Sequence, residues 1–194
     1  MGTGKIEKAL KVAAAAGYEK QHTDQVRIIA LRLFDELKDL HQLGEKERVM
    51  LELACILHDV ASQDGGKAHH KAGRDMIHAS RELSFEDDEE RTQVAMIVRY
   101  HKGALPDEDH KFYGDLDLAA RGKVDKLASI LRVADGLDRT HFAVVKDLKC
   151  EVSPDKAVIR LMAKGRSGID DNAAVEKSDL FKKTFGRTIA IEWD

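Results

Sequence analysis

The sequence predicts a mainly α-helical bundle that ends in a small β-β-α-β appendage, α+β overall. Three observations carry that expectation. Apolar residues recur at i, i+3, i+4 and i+7 in successive segments up to about residue 145, which marks helices with one buried face. The pattern then switches to alternation at Leu148, Cys150 and Val152, and again at Ile189, Ile191 and Trp193, the period of half-covered strands. A chain of 194 residues, 43% hydrophobic and 35% charged, can bury one good core and carry a small addition. A helical domain over residues 1–145 and a small α+β subdomain over 146–194 packed on it are therefore expected.

The elements follow in order. Lys5 to Ala16 places Ile6, Ala9, Val12, Ala13 and Ala16 on one helical face, and Gly17 supplies a stop. A second helix, Lys20 to Leu40, repeats Val26, Ile29, Leu33, Leu37 and Leu40; one turn before Val26 the same stripe holds His22. After Gly44 a third helix runs to His58-Asp59, and its stretch from Leu51 to Val60 is apolar all round, the pattern of a helix buried on every side. Residues 61–66 are small and turn-forming and read as a loop.

A helix from Lys67 to Leu83 then sets His70, Gly73 and Ile77 inward and leaves His69, Lys71 and Arg74 outward. Ser84 with Asp87 gives a capping-box-like start to the next helix, and the acidic run Glu86 to Glu90 suits its positive end without any partner. On that helix Val94, Ile97 and Val98 lead to His101, before Gly103 and Pro106 break it. Ala104 to Asp117 is polar and irregular, expected as a surface connection rather than a lid. From Leu118 to Asp138 the buried face runs Val124, Leu127, Ala128, Leu131 and Asp135. In the tail, Pro154-Asp155 turns between strands, Ala157 to Met162 is the second strand, and Asp171 to Phe185 is one helix; no site is expected there.

Composition excludes several roles. A net charge of −3 provides no basic footprint for duplex nucleic acid. No apolar run reaches membrane-spanning length, and neither a signal peptide nor a lipidation motif is present. Cys55 and Cys150 lie in apolar settings without ligand spacing, as reduced core thiols would. A soluble cytoplasmic protein is expected, and a homodimer is compatible with the sequence.

The chemistry-bearing residues lie on the buried faces. A carboxylate at the end of a core helix is costly unless it is paired or holds a cation, and the neutral imidazole beside it is a common metal ligand. Alone, His58-Asp59 reads first as a hydrogen-bonded pair in the core and only second as a metal site. Together, His22, His58, Asp59, His70, His101 and Asp135 end or extend buried stripes on five helices, a coincidence far less expected than any single one.

The motifs His22, His58-Asp59 and Asp135 within Arg132-Val133-Ala134-Asp135-Gly136 resemble the H…HD…D signature of the HD-domain superfamily of metal-dependent phosphohydrolases. His70 and His101 match the additional histidines of its binuclear branch. More narrowly, Leu57-His58-Asp59-Val60, His69-His70-Lys71, Arg99-Tyr100-His101-Lys102 and Ile130-Leu131-Arg132-Val133-Ala134 are similar to the C-terminal HD domain of the exopolyphosphatase/guanosine pentaphosphate phosphohydrolase family, here expected as a stand-alone protein. The likeness covers essentially the whole chain, its β-β-α-β tail included. The actin-like half in which that family places its phosphatase chemistry has no counterpart in these residues, and Ala61-Ser62 stands where Gly-Lys often follows His-Asp.

The resemblance implies a phosphohydrolase acting on a nucleotide or another small phosphate ester. His22, His58, Asp59 and Asp135 would hold a first divalent cation; Asp59 would bridge to a second held by His70 and His101. Imidazole with carboxylate suits Mn, Fe, Co, Ni or Zn, with Mg also compatible, and such a pair polarises phosphoryl oxygens and activates water. His58, Asp59 and Arg139 would carry the chemistry, with Lys67, Lys71, Arg74, Lys102 and Arg139 as phosphate contacts. The rival expectation is a regulatory module that binds a metal or nucleotide without turnover.

Overall fold

The computed structural model describes residues 2–62, 68–163, 165 and 167–193. Helices α1 (Gly2–Ala15), α2 (Lys20–Glu36), α3 (Lys38–His41), α4 (Glu45–Leu57), α5 (His69–Ala79), α6 (Asp88–Tyr100) and α7 (Leu118–Gly136) precede strands β1 (Val145–Val152) and β2 (Lys156–Ala163). Helices α8 (Gly168–Glu176) and α9 (Asp179–Phe185) then lead to strand β3 (Thr188–Trp193). The fold is thus mainly helical with a small sheet in the tail, as the change of period implies.

Helix α4 is the axis of the molecule. Its start is fixed by the Glu47 carboxylate, which accepts a hydrogen bond from the Gly44 amide at 3.0 Å, a satisfied N-terminal donor. Met50, Leu51, Leu53, Ala54, Cys55, Ile56 and Leu57 are all buried. Glu52 is the polar exception, and Arg27 of α2 meets it at 2.9 Å. Helices α1, α2, α6 and α7 pack around α4, so its C-terminal end, His58-Asp59, is delivered into the centre of the bundle.

Several boundaries differ from expectation, each for a local reason. The expected helix Lys20 to Leu40 breaks at Leu37, and α3 ends at Gln42, which is left-handed with φ 57°. The fully buried His41 fixes that turn: one ring nitrogen meets Phe34 O at 2.8 Å and the other accepts from Leu43 N at 2.9 Å. Helix α5 stops at Ala79, where Ser80 turns extended and its hydroxyl accepts from the Glu82 and Leu83 amides. Asp87, not Ser84, caps α6 by accepting from Glu90 N at 2.7 Å. Nor is the acidic run without a partner, because buried Glu90 takes Lys5 of α1 at 2.7 Å. Cys55 is buried, whereas Cys150 on β1 is only half-buried.

The connection 104–117 contains neither helix nor strand, yet Tyr113 and Leu116 are buried within it. It is anchored to the bundle rather than laid over it. In the tail, β1 and β2 pair antiparallel and β2 and β3 parallel. A parallel pair needs a long crossover, and α8 with α9 supply it. The single helix expected from Asp171 is in fact these two, parted at Lys177-Ser178. Strand β1 lies on α2, and α8 and α9 lie on α7. The approach of α8 to α7 is close enough that a Cβ on Gly136 would stand 2.5 Å from the Ala174 Cα.

Candidate metal centre

Three helix ends, those of α4, α6 and α7, meet two helix starts, those of α2 and α5. His22 comes from the first turn of α2, His58 and Asp59 from the end of α4, and His69 from the start of α5. His101 caps α6, and Asp135 lies in the last turn of α7. His22, His58 and His101 are each no more than 1% exposed.

The atoms fall into two groups that share Asp59. In the first, His22 Nε2 lies 3.4 Å from His58 Nε2, His58 Nε2 lies 3.7 Å from Asp59 Oδ2, and His22 Nε2 lies 3.4 Å from Asp135 Oδ1. In the second, Asp59 Oδ1 lies 3.2 Å from His69 Nε2 and 3.7 Å from His101 Nε2, which are 3.4 Å apart. Ligands bonded tetrahedrally at about 2.1 Å stand roughly 3.4 Å from one another. Both His22-His58-Asp59 and Asp59-His69-His101 thus have the spacing of a cation's ligands.

The tautomers support this reading. His58 Nδ1 donates to Cys55 O at 2.8 Å and His101 Nδ1 donates to Val98 O at 2.7 Å. A carbonyl can only accept, so in each ring Nδ1 carries the proton of that bond and Nε2 is the nitrogen that faces the cluster. The same device occurs twice: a histidine just past a helix end satisfies the free carbonyl three residues back. His22 is oriented by a carboxylate instead, its Nδ1 meeting Asp138 Oδ2 at 2.8 Å. Asp138 is itself held by the Ala143 amide at 2.8 Å. Partners of this kind fix metal-binding imidazoles and raise their basicity.

Charge follows from the same contacts. Burial works against the His22 imidazolium, but Asp135 and Asp138 outweigh it and raise the ring to about 9. Burial pushes His101 down to about 3, with His58 adding to the effect. Burial also opposes ionisation of Asp59, yet His58 and His69 beside it hold its carboxyl below the ordinary range. Asp135 is held low against burial chiefly by Lys177, whose ammonium contacts its Oδ2. The cluster therefore brings two ionised carboxylates together with buried imidazoles, a donor set that fits a borderline transition cation once the His22 proton is displaced.

Not every expected residue converges. His70, expected to hold a second ion, is buried with Nδ1 unpartnered among the described residues, and its ring packs where a Gly103 Cβ would lie 3.2 Å away. His69, expected outward, stands in its place. Of the phosphate candidates, Lys71 is exposed, and Arg74 pairs with Asp75 at 2.7 Å. Lys102 is half-buried, Arg139 is exposed with no hydrogen bond or ion pair joining it to the cluster, and Lys67 lies outside the described residues. Asp138 and Lys177 went unforeseen, as did His141, which stacks on His22 at 3.8 Å. Asp138 was legible, one turn beyond Asp135 on the same face; no spacing in the sequence points to Lys177.

A family model described as Ppx/GppA phosphatase, domain III, matches residues 9–184. The chain belongs to this family. The matched span of this Ppx/GppA domain contains the whole cluster, from His22 on α2 to Lys177 beyond α8. A phosphatase-family origin is therefore established for the fold that carries the site. No curated protein matches the chain. Among the described residues no helix is long and apolar enough to cross a membrane.

Proposed function

We propose that this Ppx/GppA domain is a metal-dependent phosphohydrolase of the HD superfamily, acting on a nucleotide or another small phosphate ester. The observation that carries the reading is the division of Asp59: one oxygen faces His58 and the other faces His69 and His101. A carboxylate so placed is built to bridge. His22, His58, Asp59 and Asp135 would hold one divalent cation, and Asp59, His69 and His101 a second. Two such cations together polarise a phosphoryl group and lower the pKa of water.

The protein's own part is positioning. Asp138, Cys55 O and Val98 O hold three imidazoles with Nε2 aimed inward, and burial keeps His101 neutral. Arg74, Lys102 and Arg139 are the cations proposed to reach the phosphates from the rim. A second reading, a regulatory module that binds metal without turnover, is supported by the match being to one domain of a phosphatase family. Hydrolysis of a panel of nucleotides and phosphomonoesters by protein loaded with Mn2+ separates the two. Release of phosphate that chelation abolishes supports the enzyme; a fully loaded protein inert on every member sinks it in favour of the module.

A further inference from the structure

Among the described residues of the tail, Lys177 is the one that enters the cluster, and its placement is built rather than incidental. It follows α8, which is seated on α7 by the close passage of Ala174 over Gly136. The buried Arg132 then fixes the turn: its Nε donates to Lys177 O at 3.2 Å and its Nη2 pairs with Asp179 at 2.8 Å. Nη1 of the same guanidinium donates to Tyr100 O at 3.0 Å and Gly103 O at 3.2 Å, the two carbonyls that bracket His101. One side chain thus ties the backbone of Lys177 to the end of α6. From there the Lys177 ammonium reaches Asp135 Oδ2, and its side chain is 17% exposed, at the open edge of the cluster.

We propose that Lys177 is a substrate-binding residue whose ammonium takes a phosphoryl oxygen at the mouth of the cluster. The inference rests on the phosphohydrolase reading above. In the cluster by itself, Asp135 serves two groups: Oδ1 faces His22 and Oδ2 meets Lys177. Once divalent cations draw on Asp59 and Asp135, that carboxylate no longer balances the ammonium. A partly buried cation without an anion is costly, and the oxygens of an entering phosphoryl group restore the balance. An ammonium also fits this task as a compact point charge on a flexible stem. The rival role is structural, with Lys177 doing no more than orienting Asp135.

The two roles predict opposite signs for one charge-neutralising variant. Manganese affinity and inorganic phosphate affinity of the loaded protein are measured by calorimetry for wild type, Lys177→Gln and Lys177→Arg, beside thermal melts. The expected result is that Lys177→Gln binds Mn2+ as tightly as wild type or more so, because a repelling charge is gone, and binds phosphate about ten-fold more weakly, the loss of one charge-assisted hydrogen bond. Lys177→Arg should keep most of the phosphate affinity. Unchanged phosphate affinity in Lys177→Gln overturns the proposal, as does a parallel loss of Mn2+ affinity, which is the mark of a positioning residue. An unfolded Lys177→Gln also counts against it, since the ammonium is then structural. Wild type that binds no Mn2+ brings down the phosphohydrolase reading itself, whereas Mn2+ binding with phosphate indifferent to Lys177 brings down this inference alone.

Discussion

Asp59 and the imidazoles around it make separable predictions. Asp59→Ala should lose nearly all bound metal, since it removes a ligand from both groups, whereas His69→Ala or His101→Ala should retain about one ion. His70→Ala should keep full metal content, because its ring is packed against Gly103 and outside both groups. Elemental analysis of the four variants decides this, and a full complement of metal in His69→Ala would refute the assignment. Protons give a second prediction. With His22 raised to about 9, a cation must displace a proton there, so metal affinity should climb from pH 6 until about pH 9 and then level. For the metal-free protein the signs are opposite at the two ends. His22 gives stability that is full below about 6.5, the unfolded value, and lost as pH rises through about 9. His101, lowered to about 3, gives stability that is lost as pH falls below about 6.5. Melts of metal-free protein across pH should show both declines. His22, His58, His101 and Asp135 were readable in the sequence because each ends a stripe of buried residues. His69 was not: it opens α5, where side chains tilt back toward the helix N-terminus, and helical period says nothing about what lies there.

The α4 helix shows what periodicity can and cannot specify. Its all-round apolar pattern foretold burial on every side, and Leu53 is 1% exposed. Leu53→Ala should therefore destabilise the protein by about 2–5 kcal/mol, measured by chemical denaturation at constant m-value; a loss under about 1 kcal/mol would place Leu53 outside the core. Element ends were less legible, since they depend on single long-range or turn contacts. His41 breaks α2 by bonding Phe34 O, and Asp87 rather than Ser84 starts α6 because its carboxylate reaches Glu90 N. The division of α8 from α9 likewise follows from Arg132 gripping the turn between them. None of these is visible in a hydropathy pattern.

For the molecule as a whole, the change from helical to alternating period located the sheet, but not the tail's place at the site. That place depends on Arg132, 4% exposed. Arg132→Met leaves the Tyr100 and Gly103 carbonyls without this donor, at a cost of about 1–3 kcal/mol. The loss should appear first as faster hydrogen exchange in β3 and α9, with α4 still protected; uniform loss across the chain would contradict a local clamp. The meeting of α4, α6 and α7 by their C-terminal ends has a further consequence. Each helix end carries roughly half an elementary negative charge from its aligned peptide dipoles, and three of them point at one spot. The starts of α2 and α5, which bring His22 and His69 to the same place, carry the opposite sign and offset part of that charge, leaving a surplus of about one C-terminal end. On the proposed reading, a surplus of that sign favours a cation over a phosphate as the first occupant of the cluster.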